Sequence, residues 1–119
     1  MKILMTTRQP KRSVEEIFVR MYEGLDVTER DLWQLVNFGN FRQQLVLLGY
    51  RDLTPDMLDA LSGNSNYYVR QSVANHPNVS DDTILSLLDD PDNNVRYAAK
   101  RAWCERKGIA YEDFNEQTA

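Results

Sequence analysis

Cysteine and histidine are almost absent from this chain: 119 residues include one cysteine, Cys104, and one histidine, His76. One cysteine excludes an internal disulfide and any cysteine-rich zinc or iron–sulfur site. The only nucleophile–base pair the composition offers is His76/Cys104. It has no third orienting group in view, so catalysis of that kind is not expected. There is no glycine-rich phosphate loop, zinc-ligand spacing or serine-nucleophile elbow. Long hydrophobic runs are missing too, and nothing approaches the ~20 apolar residues that span a bilayer. The opening MKILMTTRQPKRS has only Ile3, Leu4 and Met5 as an apolar centre, too short for a secretory h-region. The expectation is a cytoplasmic protein that is not an enzyme, with no cofactor, no metal, no membrane partner and no small-molecule substrate.

Charge is present but unevenly placed. The net charge is −4; residues 1–52 hold 8 basic and 7 acidic side chains, and residues 53–119 hold 6 and 11. Residues 81–92 carry five aspartates and no base, and Arg96, Lys100, Arg101, Arg106 and Lys107 follow with Glu105 as the only acid among them. An acidic balance argues against general affinity for nucleic acid, which comes from phosphate neutralisation, although a local basic face stays open. The aspartate cluster lacks the alternate spacing and terminal glutamate of a calcium loop, so capping and turn formation explain it better.

The stretch that organises the chain is Val69 to Trp103. Its Val69-Arg70 returns as Val95-Arg96, and 95 − 69 gives a period of 26. The same shift lays Leu53-Thr54 on Val79-Ser80, Leu58 on Ile84 and Leu61 on Leu87. Self-similarity at a fixed period in this range marks stacked helical units. Residues 1–12 read as a flexible arm with basic Arg8, Lys11 and Arg12, or Met1–Met5 docks on the first helix. Ser13 and Glu16 form a capping box at the start of a helix whose stripe is Val14, Ile17, Phe18, Met21 and Tyr22, ended by Gly24.

Three helix starts follow, at Val27-Thr28-Glu29, Leu53-Thr54-Pro55 and Val79-Ser80-Asp81. Each sets an apolar residue before a hydroxyl N-cap, and Leu32, Leu58 and Ile84 complete three hydrophobic staples. A second helix follows each, opening at Phe41-Arg42, Val69-Arg70 and Val95-Arg96. Phe41 to Val69 is 28 residues, which asks for an insertion of two, placed at Arg51-Asp52. The third runs to Gly108 with Trp103 as a cap over the last open core face. The domain reading is therefore an arm at 1–12, one α-helical repeat domain at 13–108, and an acidic tail at 109–119. That tail folds back through Ile109, Tyr111 and Phe114 or stays loose.

At VRQSVANHPNVSDDTILSLLDDPDNNVRYAA the sequence resembles the leucine-rich repeat variant, a HEAT-like bacterial helical repeat. The matching elements are Val69-Arg70, Val73-Ala74, the turn His76-Pro77-Asn78, Leu85 to Leu88 and Asp90-Pro91-Asp92. The match is good over 66–103 and degenerate over 27–65, where Asn64-Ser65-Asn66 and Gly49-Tyr50 replace the proline turns. The resemblance implies an all-α fold: a short right-handed α-solenoid of about three helix pairs with N- and C-terminal capping helices. It also implies macromolecular binding without catalytic residues. The iron–sulfur segment of some members needs cysteines this chain lacks.

The candidate partner surface is Arg42, Tyr67, Tyr68, Arg70, Asn75, Arg96, Tyr97 and Lys100 on the second helices, with His76 beside them. Arg42, Arg70 and Arg96 read as a ladder at one repeat position. Such a ladder serves either an acidic protein surface or a phosphate backbone, or it is structural, each arginine pairing with aspartates of the preceding loop (Asp89, Asp90 and Asp92 for Arg96). Arg42 has no such aspartates and is the rung expected to be free. Tyrosine beside arginine is the composition of binding hot spots, and at least one of the adjacent Tyr67 and Tyr68 should pack inward. A protein partner is expected, nucleic acid is the alternative, and monomer and dimer both stay open.

Overall fold

The structure, a computed structural model, describes residues 11–115; within them it is all-helical, with seven α-helices, one 3-10 turn and no strand. In chain order the helices are α1 Val14–Tyr22, α2 Glu29–Phe38, α3 Phe41–Leu47, α4 Pro55–Leu61, α5 Tyr67–Ala74, α6 Asp81–Leu87 and α7 Asn93–Lys107, with the 3-10 turn at Tyr111–Asp113. The docking expected for Met1–Met5 falls outside the described residues. Arg12, expected in a flexible arm, is anchored: its guanidinium donates to Asp31, which is buried at the start of α2.

Capping chemistry explains where each helix begins. Hydroxyl or amide oxygens of Ser13, Thr28, Asn40, Thr54, Asn66, Ser80 and the Asp92 carboxylate each accept main-chain N–H bonds that the first turn leaves open. Complete capping boxes form at Thr28/Asp31 and Asn40/Gln43. At Ser13 only the serine half forms, with Glu16 N–H donating at 3.1 Å. Gly24 and Gly108 follow α1 and α7 with φ of 72° and 68°, the left-handed backbone that glycine adopts without a Cβ penalty.

These starts expose a register that differs from the one expected from arginine spacing. Helices α2, α4 and α6 begin at 29, 55 and 81, and α3, α5 and α7 at 41, 67 and 93, so both series step by 26 with no insertion. Arg51-Asp52 is simply the turn before α4, in register with Pro77-Asn78. Matching Phe41 to Val69 slides the first unit by two residues. In the observed register Phe41 corresponds to Tyr67 and Asn93, and Gln44, not Arg42, corresponds to Arg70 and Arg96.

Packing runs in two directions. Each first helix lies on the second helix of its own pair (α2 on α3, α4 on α5, α6 on α7), while α3, α5 and α7 contact one another in succession and α2 contacts α4. One continuous core results. The staple residues Leu53, Leu58, Val79 and Ile84 are buried in it with Leu35, Leu61 and Leu87 from the first helices and Leu47, Val69, Val73, Val95 and Ala99 from the second. Ile17 of α1 covers the near end, and Trp103 of α7 packs at the far end. The tail folds back rather than standing away: Phe114 packs against the core and Tyr111 meets Tyr97 at 5.4 Å between ring centroids.

Candidate functional site

Polar rungs tie successive helix pairs together, and they decide which candidate residues are available. At the first rung, Gln44 donates to the Val36 carbonyl at 3.0 Å and its amide oxygen accepts from Asn64 Nδ2 at 2.9 Å. At the second, Arg70 donates from Nη1 to the Asn64 carbonyl at 2.8 Å and grips Asp90 with two bonds, Nε to Oδ2 at 2.8 Å and Nη2 to Oδ1 at 3.1 Å. Asn64 and Asp90 are themselves in register, 90 − 64 = 26, and each also accepts the N–H two residues on, at 2.9 Å. A neutral rung and a charged rung thus share the forward half of their geometry, while their bonds back to main-chain carbonyls differ.

The ion pair is well shielded, with side-chain exposures of 14% for Arg70 and 6% for Asp90. Burial alone would push the Asp90 carboxyl up. Hydrogen bonds from Arg70 and from the Asp92 main-chain N–H outweigh it and hold the carboxyl below the usual carboxylate range. The same bond to Asp90 raises Arg70 further, so the pair is ionised throughout the ordinary pH range. Arg70 therefore pairs forward, with the turn of the next helix pair, not with its preceding loop. Arg96 differs again: Nη1 bonds the Asp90 main-chain carbonyl at 2.6 Å and Nη2 donates to Asn93, but no carboxylate pairs with it among the described residues.

The remaining candidates divide between two faces of the second helices. Tyr68, Asn75 and Tyr97 point outward; both tyrosines are about half exposed, at 52% and 51%. Arg42, in register with Tyr68, is exposed beside Phe41, its guanidinium 5.8 Å from that ring. It is free of hydrogen bonds and ion pairs among the described residues, as anticipated, but it is not part of the ladder. Tyr67 turns inward against the core and stacks on Tyr68 at 4.4 Å, which resolves how two adjacent tyrosines are accommodated. Lys100 lies one turn beyond Arg96, its ammonium 4.2 Å from the Tyr111 ring and 5.1 Å from that of Phe114.

His76 is unavailable to a partner. It is buried, its Nδ1 accepts from Asn78 N–H at 3.0 Å, and its Nε2 lies 3.0 Å from the Tyr50 carbonyl, which assigns the Nε2–H tautomer. Both ring nitrogens are thereby committed, leaving no lone pair to activate Cys104, itself buried. Asn78 adds bonds to the Arg51 and Leu53 carbonyls at 2.7 and 2.9 Å, so this turn joins adjacent pairs as the Arg70 rung does. Lys107 and Arg106 close on Asp81 at 2.9 and 3.0 Å and hold its carboxyl below the usual range. Among the described residues no group of three or more His, Cys, Asp or Glu could hold a metal ion, and no helix is long and apolar enough to cross a membrane.

The sequence reading missed Gln44, Asn64 and Asn78, although the exact recurrence 44, 70, 96 was there to find. Compared with protein-family models, with curated proteins and with solved structures, the chain matches none of them.

Proposed function

We propose that this chain is a non-enzymatic protein-binding scaffold: a short HEAT-like α-solenoid of three helix pairs, capped by α1 and by the end of α7. It acts as an adaptor, inhibitor or regulatory subunit and engages its partner through the outward face of α3, α5 and α7. The observation that supports this reading is the pattern of exposure on that face. Val46, Tyr68 and Tyr97 leave about half their surface in water where lysine or glutamate would cost nothing. Tyrosines flanked by Arg42, Asn75 and Arg101 have the aromatic and polar mix of an interface centre. The 26-residue recurrence of helix starts and rungs supports the solenoid.

Nucleic acid is the weaker alternative, because part of the basic set it would need is engaged. Arg70 pairs with Asp90, Arg12 with Asp31, and Arg106 and Lys107 share Asp81, which leaves Arg42, Arg96 and Lys100 scattered over two faces. The test is capture of partners from lysate on tagged protein, with and without nuclease, beside the variant Tyr68→Ala/Asn75→Ala. A stoichiometric protein that resists nuclease and is lost from the variant supports the reading. Nucleic acid as the only retained species, or a protein partner indifferent to the variant, overturns it. Arg70 is a poor probe here, since replacing it breaks the Asp90 pair and with it the joint between helix pairs.

A further inference from the structure

The rung series leaves its third member incomplete. Gln44 receives Asn64 and Arg70 receives Asp90, each from the turn that opens the next second helix. Arg96 repeats the backward half of the pattern, its Nη1 on the Asp90 carbonyl as Arg70 Nη1 is on the Asn64 carbonyl. In place of the forward half, Arg96 Nη2 donates to Asn93 of its own helix, and no carboxylate from a further turn reaches the guanidinium among the described residues. An open groove of about 600 Å³ lies there instead. Leu85, Leu88, Tyr111 and Phe114 wall it, and Arg96 and Lys100 supply its charge. Lys100 has only aromatic rings for company, with no carboxylate in ion-pair reach among the described residues. A cation–π contact offsets part of the desolvation of an ammonium and leaves its field directed into the groove.

We propose that this groove binds an acidic peptide segment of a protein partner. Its aspartate or glutamate docks on Lys100 and on the Nε edge of Arg96, and an adjacent aliphatic or aromatic residue packs against Leu85, Leu88 and Phe114. Charge complementarity selects the carboxylate, since Arg96 and Lys100, neither of them in an ion pair among the described residues, line one groove beside Leu85, Leu88 and Phe114. The rung geometry shows what the fold does with such a carboxylate when it is supplied in the same chain. Asp89 stands on the rim with the opposite effect and sets a threshold on affinity. The proposal rests on and deepens the protein-binding reading by naming a partner chemistry; its groove adjoins the outward face at Tyr97 but does not include Tyr68 or Asn75.

The experiment is display of a random peptide library against the immobilised full chain, followed by anisotropy titration of the best synthetic peptide. Selected peptides are expected to share an acid next to a large apolar residue. Their affinity should fall at least roughly tenfold in Arg96→Gln/Lys100→Gln, as loss of charge-assisted bonds implies. It should rise a few-fold in Asp89→Asn and weaken with salt. Lys100→Gln alone, which removes no hydrogen bond within the chain, controls for folding and should lose several-fold by itself. No enrichment, a consensus without an acid, or equal binding to the double variant overturns the proposal. So does an Arg96-dependent dimer in sedimentation, which would make a second copy the occupant. Tyr68→Ala/Asn75→Ala should leave peptide affinity unchanged. If that variant loses its cellular partner while display selects nothing, the groove falls and the scaffold stands. If acidic peptides bind the groove while lysate yields no partner, the groove stands and the outward face falls.

Discussion

Converting the second rung into the first should separate charge from geometry. Asp90→Asn leaves the Arg70 guanidinium 14% exposed, bonded to the Asn64 carbonyl and to one amide oxygen, and should cost about 2 kcal/mol. Arg70→Gln leaves a carboxylate 6% exposed with the Asp92 N–H as its hydrogen bond and the charge of Arg96 nearby, and should cost about 3 kcal/mol. The double variant Arg70→Gln/Asp90→Asn recreates Gln44–Asn64, a pair this fold already accepts, so its cost should be about 1 kcal/mol or less. The coupling is then about 4 kcal/mol, since additivity fails for residues sharing one network. Urea unfolding followed by circular dichroism reads it; with a slope of about 1.5 kcal/mol per molar, 2 kcal/mol moves the midpoint by about 1.3 M. The pH dependence has a definite sign. Asp90 has a folded pKa below its unfolded one, so its contribution is whole above the unfolded value of about 4 and is lost as pH falls through the folded value. The advantage of the wild type over the double variant should therefore shrink on acidification below about pH 4. Additive single costs, or a double variant worse than either single, would refute the claim that the two rungs are interchangeable.

Three further outcomes follow from the same contacts. His76→Ala removes the Tyr50 and Asn78 bonds at a buried joint and should cost about 2–3 kcal/mol in thermal or urea unfolding, more than any outward substitution such as Asn75→Ala. Gly39→Ala would set a Cβ 2.6 Å from the Leu35 carbonyl oxygen, so it should lower the melting temperature although its φ of −69° suits any residue. Asp81→Asn breaks two solvent-exposed ion pairs and should leave the urea midpoint nearly unmoved at physiological salt, because exposed pairs are screened.

Helix starts were legible because capping is local chemistry. Thr28, Thr54 and Ser80 announce themselves by residue type and by the staple around them, and each caps the helix it was assigned to. The second-helix caps Asn40, Asn66 and Asp92 carry the same period, but two asparagines and an aspartate in turn-like surroundings do not single themselves out from other turn residues. The ladder was misread for a related reason. Matching by arginine identity favours Arg42, whereas the fold matches by hydrogen-bonding role, and an amide can stand where a guanidinium stands if its partner changes from Asp to Asn. Partner choice was equally opaque: Arg70 reaching forward to Asp90 depends on how one pair is set upon the next, which local sequence does not encode.

Comparison of the three pairs within the one chain then sorts structural from functional positions. Positions that keep their chemistry across pairs, such as Val27, Leu53 and Val79 or Leu32, Leu58 and Ile84, lie in or against the core; the caps keep a side-chain oxygen, and the rungs keep a polar pair while changing its charge. Positions that change freely are the outward ones: Arg42, Tyr68 and Asn94 share one register, and Gly49, Asn75 and Arg101 another, while Tyr97 shares a register with Leu45, which packs against the core, and the half-buried Gln71. A stack needs the first kind to be alike and places no demand on the second. Tyr68 at such a position, half exposed, is therefore not required by stacking, and Tyr97 is half exposed with Arg101 over its ring. The same reasoning sets Arg96 apart from Arg70. Their chemistry is identical, yet one is paired with a carboxylate of the next turn and the other lines an open groove with Lys100 beside it. The recurrence of this device at Arg96 without its carboxylate partner is what motivates the acidic-peptide proposal.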